Sequence, residues 1–233
     1  MHLKRAVAAL LFVLFVPAVF GGVAYRFDTV TNGLGDQRVS GTVEAEGGRM
    51  RLNFSSADGA TFPVHSFAIA DAGRVMVFDP DTKTYFELAF DPLGSLKTMF
   101  GDASVSNEHS SARDLGNGHS ITTNSYDLIV PVLDKKMTMH AVVTTESWTT
   151  DKYPEWASIG KVFASSGKAP KGFPTKQVST FHIDQNGSPV EIVTTTTVSD
   201  VVTKPIPATD LAMPSGYRKV ESPIEKAIKS VNQ

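Results

Sequence analysis

The sequence predicts a mainly β protein built on a single, strongly curved antiparallel sheet with short helices on its concave side. Two observations predict it. About ten segments have the alternation or composition of strands, with hairpin turns between many of them. Helical periodicity is confined to a few short stretches that do not alternate with the strands, so parallel βαβ units are not expected. No linker long enough to divide the 233 residues separates these elements, which predicts one domain.

The N-terminus predicts an export signal. Lys4 and Arg5 form a basic start. The apolar run that follows, residues 6–20, has about 15 residues, fewer than the ~20 that cross a bilayer as a helix. We expect residues 1–21 to be a signal peptide, with cleavage as late as Ala24, and residues 22–233 to be the domain. A retained membrane anchor is the alternative. The expected location is the periplasm or the exterior.

Composition excludes several classes of function. The formal net charge is −2, with 22 basic and 24 acidic residues, and no cluster of cations indicates a nucleic-acid partner. The chain has no cysteine. Disulfides, thiolate metal sites, cysteine nucleophiles and lipid attachment through cysteine are therefore excluded.

The first half of the chain reads as a series of hairpins. Residues 25–31 and 37–46 are two strands around a glycine-rich turn that lacks the third glycine of a dinucleotide fingerprint. Residues 48–90 form the central meander. Met50, Leu52 and Phe54 alternate there with polar residues, which indicates a strand with one buried face.

The later strands of the meander extend this pattern. Residues 75–78 are all apolar, which predicts a strand covered on both faces. In the next strand, Phe86, Leu88 and Phe90 share one face and Tyr85 lies on the other.

The second half of the chain is rich in serine and threonine. Five strands are predicted there, over residues 104–114, 119–130, 136–149, 175–183 and 189–203. The last two form a hairpin through Asn186-Gly187, which is a strong turn signal. The faces of the first three are less clearly divided than those of the meander.

Three short helices are predicted, near residues 92–100, 154–166 and 223–231. In the second, Trp156, Ile159 and Phe163 form an apolar stripe. This stripe is either a fixed part of the core or a lid over a cavity. Because burying one large apolar side chain is worth ~1.5–3 kcal/mol, an acyl chain of equal area could displace such a lid.

No motif of catalysis or metal binding appears. The chain has no GxSxG elbow, phosphate-binding loop or HExxH helix. The histidines that follow the signal peptide lie on separate strands or loops: His65, His109, His119, His140 and His182. We therefore predict no catalytic residue, no metal and no cofactor. An enzyme remains the alternative if histidines and acids converge in the fold.

Several stretches resemble one known family. They are the signal peptide, GGRMRLNF, RVMVFDPDTKTYFEL, ESWTTDKYPEW, GFPTKQV and IPATDLAMPSGYRKV. Together they resemble the LolA/LolB-type periplasmic lipoprotein-carrier fold, and most closely a group of secreted domains that share it. The resemblance implies an unclosed β-barrel of about eleven strands, helices across its concave face and an apolar cavity that holds acyl chains without covalent chemistry. No arginine can be matched to the carriers' functional arginine, and the lipid anchor of the LolB type is absent.

The resulting hypothesis is a non-enzymatic binder or carrier of lipid or another hydrophobic molecule, such as one with an acyl chain. The predicted cavity and lid residues are Met50, Leu52, Phe54, Met76, Phe78, Trp156, Ile159 and Phe163. The alternative is a structural or protein-interaction module of the envelope with a filled core, which would have an envelope protein as its partner. Strand edges of an unclosed sheet are natural docking sites for another strand.

Overall fold

The protein is an all-β sheet structure over the part of the chain that is described. The computed structural model describes residues 22–33, 36–46, 49–58, 65–71, 74–89, 104–132, 135–153, 172–185 and 188–222. The twelve strands are β1 (Val23–Asn32), β2 (Gln37–Glu46), β3 (Arg49–Asp58), β4 (Phe67–Asp71), β5 (Arg74–Asp79), β6 (Thr84–Ala89), β7 (Ser104–Gly116), β8 (His119–Val132), β9 (Lys135–Thr150), β10 (Phe173–Gln185), β11 (Ser188–Thr203) and β12 (Arg218–Lys219).

All twelve strands belong to one sheet, in the order β12-β6-β5-β4-β3-β2-β1-β11-β10-β9-β8-β7. Neighbouring strands are antiparallel, apart from β12 and β6. The predicted single antiparallel sheet is therefore confirmed except for this one parallel pair. It is not closed, because within the described residues β7 and β12 lie at opposite ends of the order without pairing.

The three predicted helices lie outside the described residues. The stretches that the structure does describe contain strands, turns and irregular segments, and no helix among them is long and apolar enough to cross a membrane.

The inner face of the sheet carries the main core. Alternate residues of β1 and β2 are buried along the whole length of both strands, as a period of two requires when one face is covered. Six buried residues lie opposite one another in register across β1 to β6 and are called here the apolar row: Tyr25, Val43, Leu52, Ala68, Val77 and Phe86. The face that contains this row is the inner face.

A second, smaller core lies on the outer face of β4 and β5. This outer cluster consists of Phe67, Ile69, Met76 and Phe78, which are all buried. The rings of Phe67 and Phe78 stack at 5.0 Å between centroids. With Val75 and Val77 buried on the inner face, β5 is covered on both sides, which confirms the prediction for residues 75–78.

The segment of residues 204–222 covers the outer cluster. Tyr217 packs edge-on against Phe78, with 5.1 Å between ring centroids. The guanidinium of Arg51 lies 4.1 Å from the centre of the Phe67 ring and donates a hydrogen bond of 3.3 Å to the carbonyl of Asp210. The segment is therefore attached to the sheet by aromatic packing and by Arg51, which contacts both Phe67 of the sheet and Asp210 of the segment.

Backbone hydrogen bonds complete this attachment and create β12. The amides of Arg218 and Val220 donate to the carbonyls of Lys83 and Tyr85, at 3.0 and 2.8 Å. Because the chain crosses the outer face before it reaches the edge, it meets β6 in the parallel direction. This corrects the expectation of a purely antiparallel sheet.

Candidate binding site on the inner face

The structure separates the residues predicted to line a cavity. Met50, Leu52 and Phe54 lie on the inner face and are buried there. Met76 and Phe78 lie in the outer cluster instead. Successive residues of β5 point to opposite faces. Because Val75 and Val77 point to the inner face, Met76 and Phe78 point to the outer face and cannot share one apolar wall with the first three. Trp156, Ile159 and Phe163, the predicted lid, lie outside the described residues.

A glycine shapes the apolar part of the inner face. Phe27, Gly41 and Phe54 are opposite one another across β1, β2 and β3. A Cβ at Gly41 would lie 2.1 Å from the carbonyl oxygen of Asn53 and 3.0 Å from the Phe27 ring. The missing side chain lets Phe27 and Phe54 meet edge-on above β2, with 6.4 Å between ring centroids. The alternation of the strands did not indicate this contact.

Aromatic rings also cover the end of β1 on this face. Tyr25 packs edge-on against Phe173, with 5.5 Å between ring centroids, and Tyr153 meets the same phenylalanine at 4.9 Å. Burial raises the pKa of Tyr25 well above its ordinary value, because the phenolate would be charged in a site shielded from water. The Tyr25 hydroxyl is therefore neutral at any physiological pH.

The other end of β1 begins a polar region of the same face. Six side chains with a hydroxyl or an amide lie opposite one another across six strands, from β2 through β1, β11, β10 and β9 to β8, and are called here the hydroxyl row: Gln37, Thr31, Thr194, Ser179, Thr145 and Thr122. This row was not predicted from the sequence, because it joins residues far apart in the chain and the threonine-rich strands show no clear division of faces.

Hydrogen bonds link the hydroxyls between neighbouring strands. Thr31 and Thr194 are 3.1 Å apart through their Oγ1 atoms, and Thr145 Oγ1 lies 3.1 Å from the Oγ of Ser179. Two residues further along β1 and β11, the Oγ1 atoms of Thr29 and Thr196 form a similar pair at 2.9 Å. Each of these hydrogen bonds joins a hydroxyl group of one strand to a hydroxyl group of the neighbouring strand. The bonds hold these side chains in place on the inner face.

The buried polar residues share one further property, which is that none of them is charged. Within the described ranges they are Thr29, Thr31, Gln37, Ser66, Ser179, Thr194, Thr196 and Ser222. An ion placed among them would find no opposite charge to compensate for its loss of water. The buried parts of the described structure therefore suit neutral groups.

Charged residues meet on the outer face of the second half of the sheet. His140 Nδ1 lies 2.8 Å from Asp127 Oδ1, and Asn107 donates to the other oxygen of Asp127 at 2.6 Å. The amide of Asn107, followed by His140, lowers the pKa of Asp127 below its ordinary value. A histidine and a carboxylate thus converge here.

Two further histidines have carboxylate partners on neighbouring strands. His119 lies 3.4 Å from Glu146, and His182 lies 3.3 Å from Glu191. The strand register brings these partners together, whereas their spacing in the sequence gave no sign of it. Among the residues that the structure describes, no group of three or more histidine and acidic side chains could hold a metal ion.

Comparison with known proteins returns matches only among solved structures, at low sequence identity. No protein-family model and no curated protein matches the chain. Among solved structures, the chain is similar to LolA superfamily protein NE2245 from Nitrosomonas europaea, at 11% identity and a TM-score of 0.39, over 90% of this chain and 98% of that chain.

Two further solved structures are similar. A conserved protein from Thermus thermophilus is 10% identical, with a TM-score of 0.37, over 93% of this chain and 99% of that chain. A structure of PNGF-II is 11% identical, with a TM-score of 0.32, over 88% of this chain and 32% of that chain.

Proposed function

We propose that this protein is a non-enzymatic binder or carrier of a hydrophobic molecule, such as a lipid, which lies against the inner face of the sheet. The observation that carries the proposal is the apolar row. It continues without a charged side chain across six neighbouring strands, from Tyr25 in β1 to Phe86 in β6. A wall of this kind suits a hydrocarbon chain, since each buried methylene group contributes ~0.8 kcal/mol.

The proposed wall differs from the set predicted from the sequence. It includes Met50, Leu52 and Phe54 and leaves out Met76 and Phe78, which lie on the other face. The stripe of residues 154–166 stays a predicted lid.

Two methionines provide a matched experiment. Met50 on the inner face and Met76 in the outer cluster are both buried, at 2% and 4% exposure. Met50→Ala should weaken binding of a fluorescent fatty-acid analogue several-fold, whereas Met76→Ala should leave that affinity unchanged. Both changes should lower the free energy of unfolding by ~2–5 kcal/mol, so stability alone cannot explain a difference in binding.

The wild-type protein supplies the first test. Native mass spectrometry of protein purified without detergent should show a bound hydrophobic molecule. The proposal fails if no molecule co-purifies and the fluorescent analogue does not bind either.

The proposed location is the periplasm or the cell exterior. It rests on the basic and apolar N-terminus that is typical of an export signal. Fractionation of cells that express the full chain should place the shortened protein outside the cytoplasm. Recovery of uncleaved protein in the membrane fraction would favour a retained anchor.

An interaction module is the second candidate, and the sheet edge at β7 favours it. This strand has 13 residues, and all but Val105 and Ser106 are exposed. Two irregularities of its pairing, at residues 106–109 and 114–116, interrupt the edge and disfavour the addition of a long strand. A photo-crosslinker at position 110 that captures one envelope protein, with none captured from position 144, would support this candidate.

A further inference from the structure

The hydroxyl row has hydrogen-bonding capacity that its internal pairs do not use. A hydrogen bond between two hydroxyls uses one hydrogen, so in each pair the accepting group keeps its own O–H. This holds for Thr31 with Thr194 and for Thr145 with Ser179. Each pair can therefore still donate one hydrogen bond to a guest, and its oxygens keep free lone pairs.

One buried polar side chain points more directly to a guest. Ser66 is 1% exposed, and its Oγ has no hydrogen-bond partner among the described residues. Gln37, which ends the hydroxyl row on β2, is also buried, at 8% exposure, and carries an amide. A buried polar group without a partner costs ~1–3 kcal/mol, so each such group needs an explanation.

Ser66 lies on the same side of the sheet as the hydroxyl row. Its side chain alternates with that of Phe67, which belongs to the outer cluster, and its carbonyl accepts a hydrogen bond from the amide of Phe54. Phe54 itself faces inward. The unpartnered hydroxyl of Ser66 is therefore on the inner face.

The polar and apolar parts of this face are arranged along the strands. Tyr25 of the apolar row and Thr31 of the hydroxyl row are six residues apart on β1, a distance of roughly 20 Å at the usual rise of a strand. An extended molecule along β1 would meet hydrocarbon at one end and hydroxyl groups at the other. It would meet no buried charge at either end within the described residues.

We infer that the ligand is an uncharged amphiphile, whose hydroxyl- or ester-bearing head lies against the hydroxyl row and whose hydrocarbon tail lies against the apolar row. This inference rests on the proposed function and narrows it. An ester or hydroxyl head accepts hydrogen bonds from the spare O–H groups and from the Gln37 amide. Among the described residues of this face, a carboxylate or ammonium head would find no buried partner of opposite charge, and it would lose its water on binding.

Three ligands with the same chain length test the inference on the wild-type protein: monopalmitoylglycerol, palmitate and hexadecane. Competition against a fluorescent apolar probe should show monopalmitoylglycerol binding about tenfold or more tightly than palmitate, with hexadecane displacing the probe as well. Equal affinity for monopalmitoylglycerol and palmitate overturns the inference and leaves the proposed function standing. If none of the three binds, both are overturned.

Variants separate the head site from the tail site. Thr194→Val keeps the shape of the side chain and removes a hydroxyl from the row. It should weaken monopalmitoylglycerol binding about threefold to tenfold, the usual range for one hydrogen bond, and leave hexadecane binding unchanged. Thr31→Val removes the other hydroxyl of the same pair and should weaken monopalmitoylglycerol binding to the same extent. It is the variant to use if Thr194→Val does not fold.

Thr144→Val is the matched control. Thr144 lies on the outer face of β9, where its Oγ1 is 3.4 Å from that of Thr123. It should leave the affinities of all three ligands unchanged. An equal loss for monopalmitoylglycerol and hexadecane in Thr194→Val would mean that the hydroxyl supports the fold rather than the head group, and would overturn the inference.

Discussion

Two regions of the sheet, the strands β4 and β5 and the edge strand β7, differ in how many of their faces are covered. At β4 and β5 the inner face carries the apolar row and the outer face carries the outer cluster, so the strands are buried on both sides. At β7 nearly every residue is exposed. β1 to β3 lie between these extremes in the order of the sheet and are buried on one face only along most of their length.

The comparison shows that the same pairing pattern is stabilised in different ways. Where both faces are covered, packing of apolar side chains supplies most of the stability. Toward the exposed end, the strands are held by backbone hydrogen bonds and by polar pairs such as Asp127 with His140. The pairs on that side are solvated, so each contributes little.

The largest expected effect comes from removing the centre of the doubly covered region. Phe78 is 0% exposed and stacks on Phe67. Phe78→Ala should lower the free energy of unfolding by about 3–5 kcal/mol, because it leaves a cavity in a packed cluster. Urea denaturation followed by circular dichroism measures it.

Leu115→Ala is the contrasting change at the exposed end. Leu115 is 43% exposed on β7. Its replacement by alanine should therefore lower the free energy of unfolding by no more than about 0.5 kcal/mol. Similar losses of stability in the two variants would contradict the difference between these two regions of the sheet.

The next effect concerns the segment that covers the outer cluster. Tyr217→Ala removes ring contacts with Phe67 and Phe78. It should lower the free energy of unfolding by about 1–3 kcal/mol. Hydrogen exchange should accelerate at the amides of Arg218 and Val220, whose hydrogen bonds hold the segment on β6. Exchange in β10 should not change, and a uniform acceleration would show that the segment does not open on its own.

A smaller effect is expected from an ion pair on the same segment. Lys204 Nζ lies 2.8 Å from Glu44 Oε1, and the lysine side chain is 46% exposed. Because solvent screens such a pair, Lys204→Gln should cost less than about 1 kcal/mol. A loss as large as that of Tyr217→Ala, measured in the same urea titration, would mean that charge rather than aromatic packing attaches the segment.

The smallest effect, which should disappear in acid, tests the polar pair near the exposed end. The amide of Asn107 and then His140 lower the pKa of Asp127 in the folded protein, so its stabilising contribution is present above the ordinary value of 3.8 and is lost as the pH falls through the folded value. The difference in urea midpoint between wild type and Asp127→Asn should therefore shrink on acidification. A difference that stays constant from about pH 5 to about pH 2 would contradict this assignment.

The sequence by itself determined most of the strands and, for β3 and β5, the number of faces that each one buries. Alternation placed Met50, Leu52 and Phe54 on one covered face, and the uninterrupted run of residues 75–78 marked a strand covered twice. Both signals are local, because side chains change faces at every residue of a strand. An uninterrupted apolar run does not show which of its residues face inward. The prediction that Met76 and Phe78 line the same wall as Met50 therefore had no basis in the run itself, and the structure places them on the other face.

Only the tertiary structure decided which distant residues share a surface. The hydroxyl row joins Thr31 to Thr194, and Gly41 brings Phe27 to Phe54, through strand register that no single stretch of sequence contains. The path of residues 204–222 over the outer cluster, and with it the parallel β12, likewise follows from packing between remote parts of the chain. Strand formation depends on neighbours in sequence, whereas the lining of a face depends on pairing across the whole sheet.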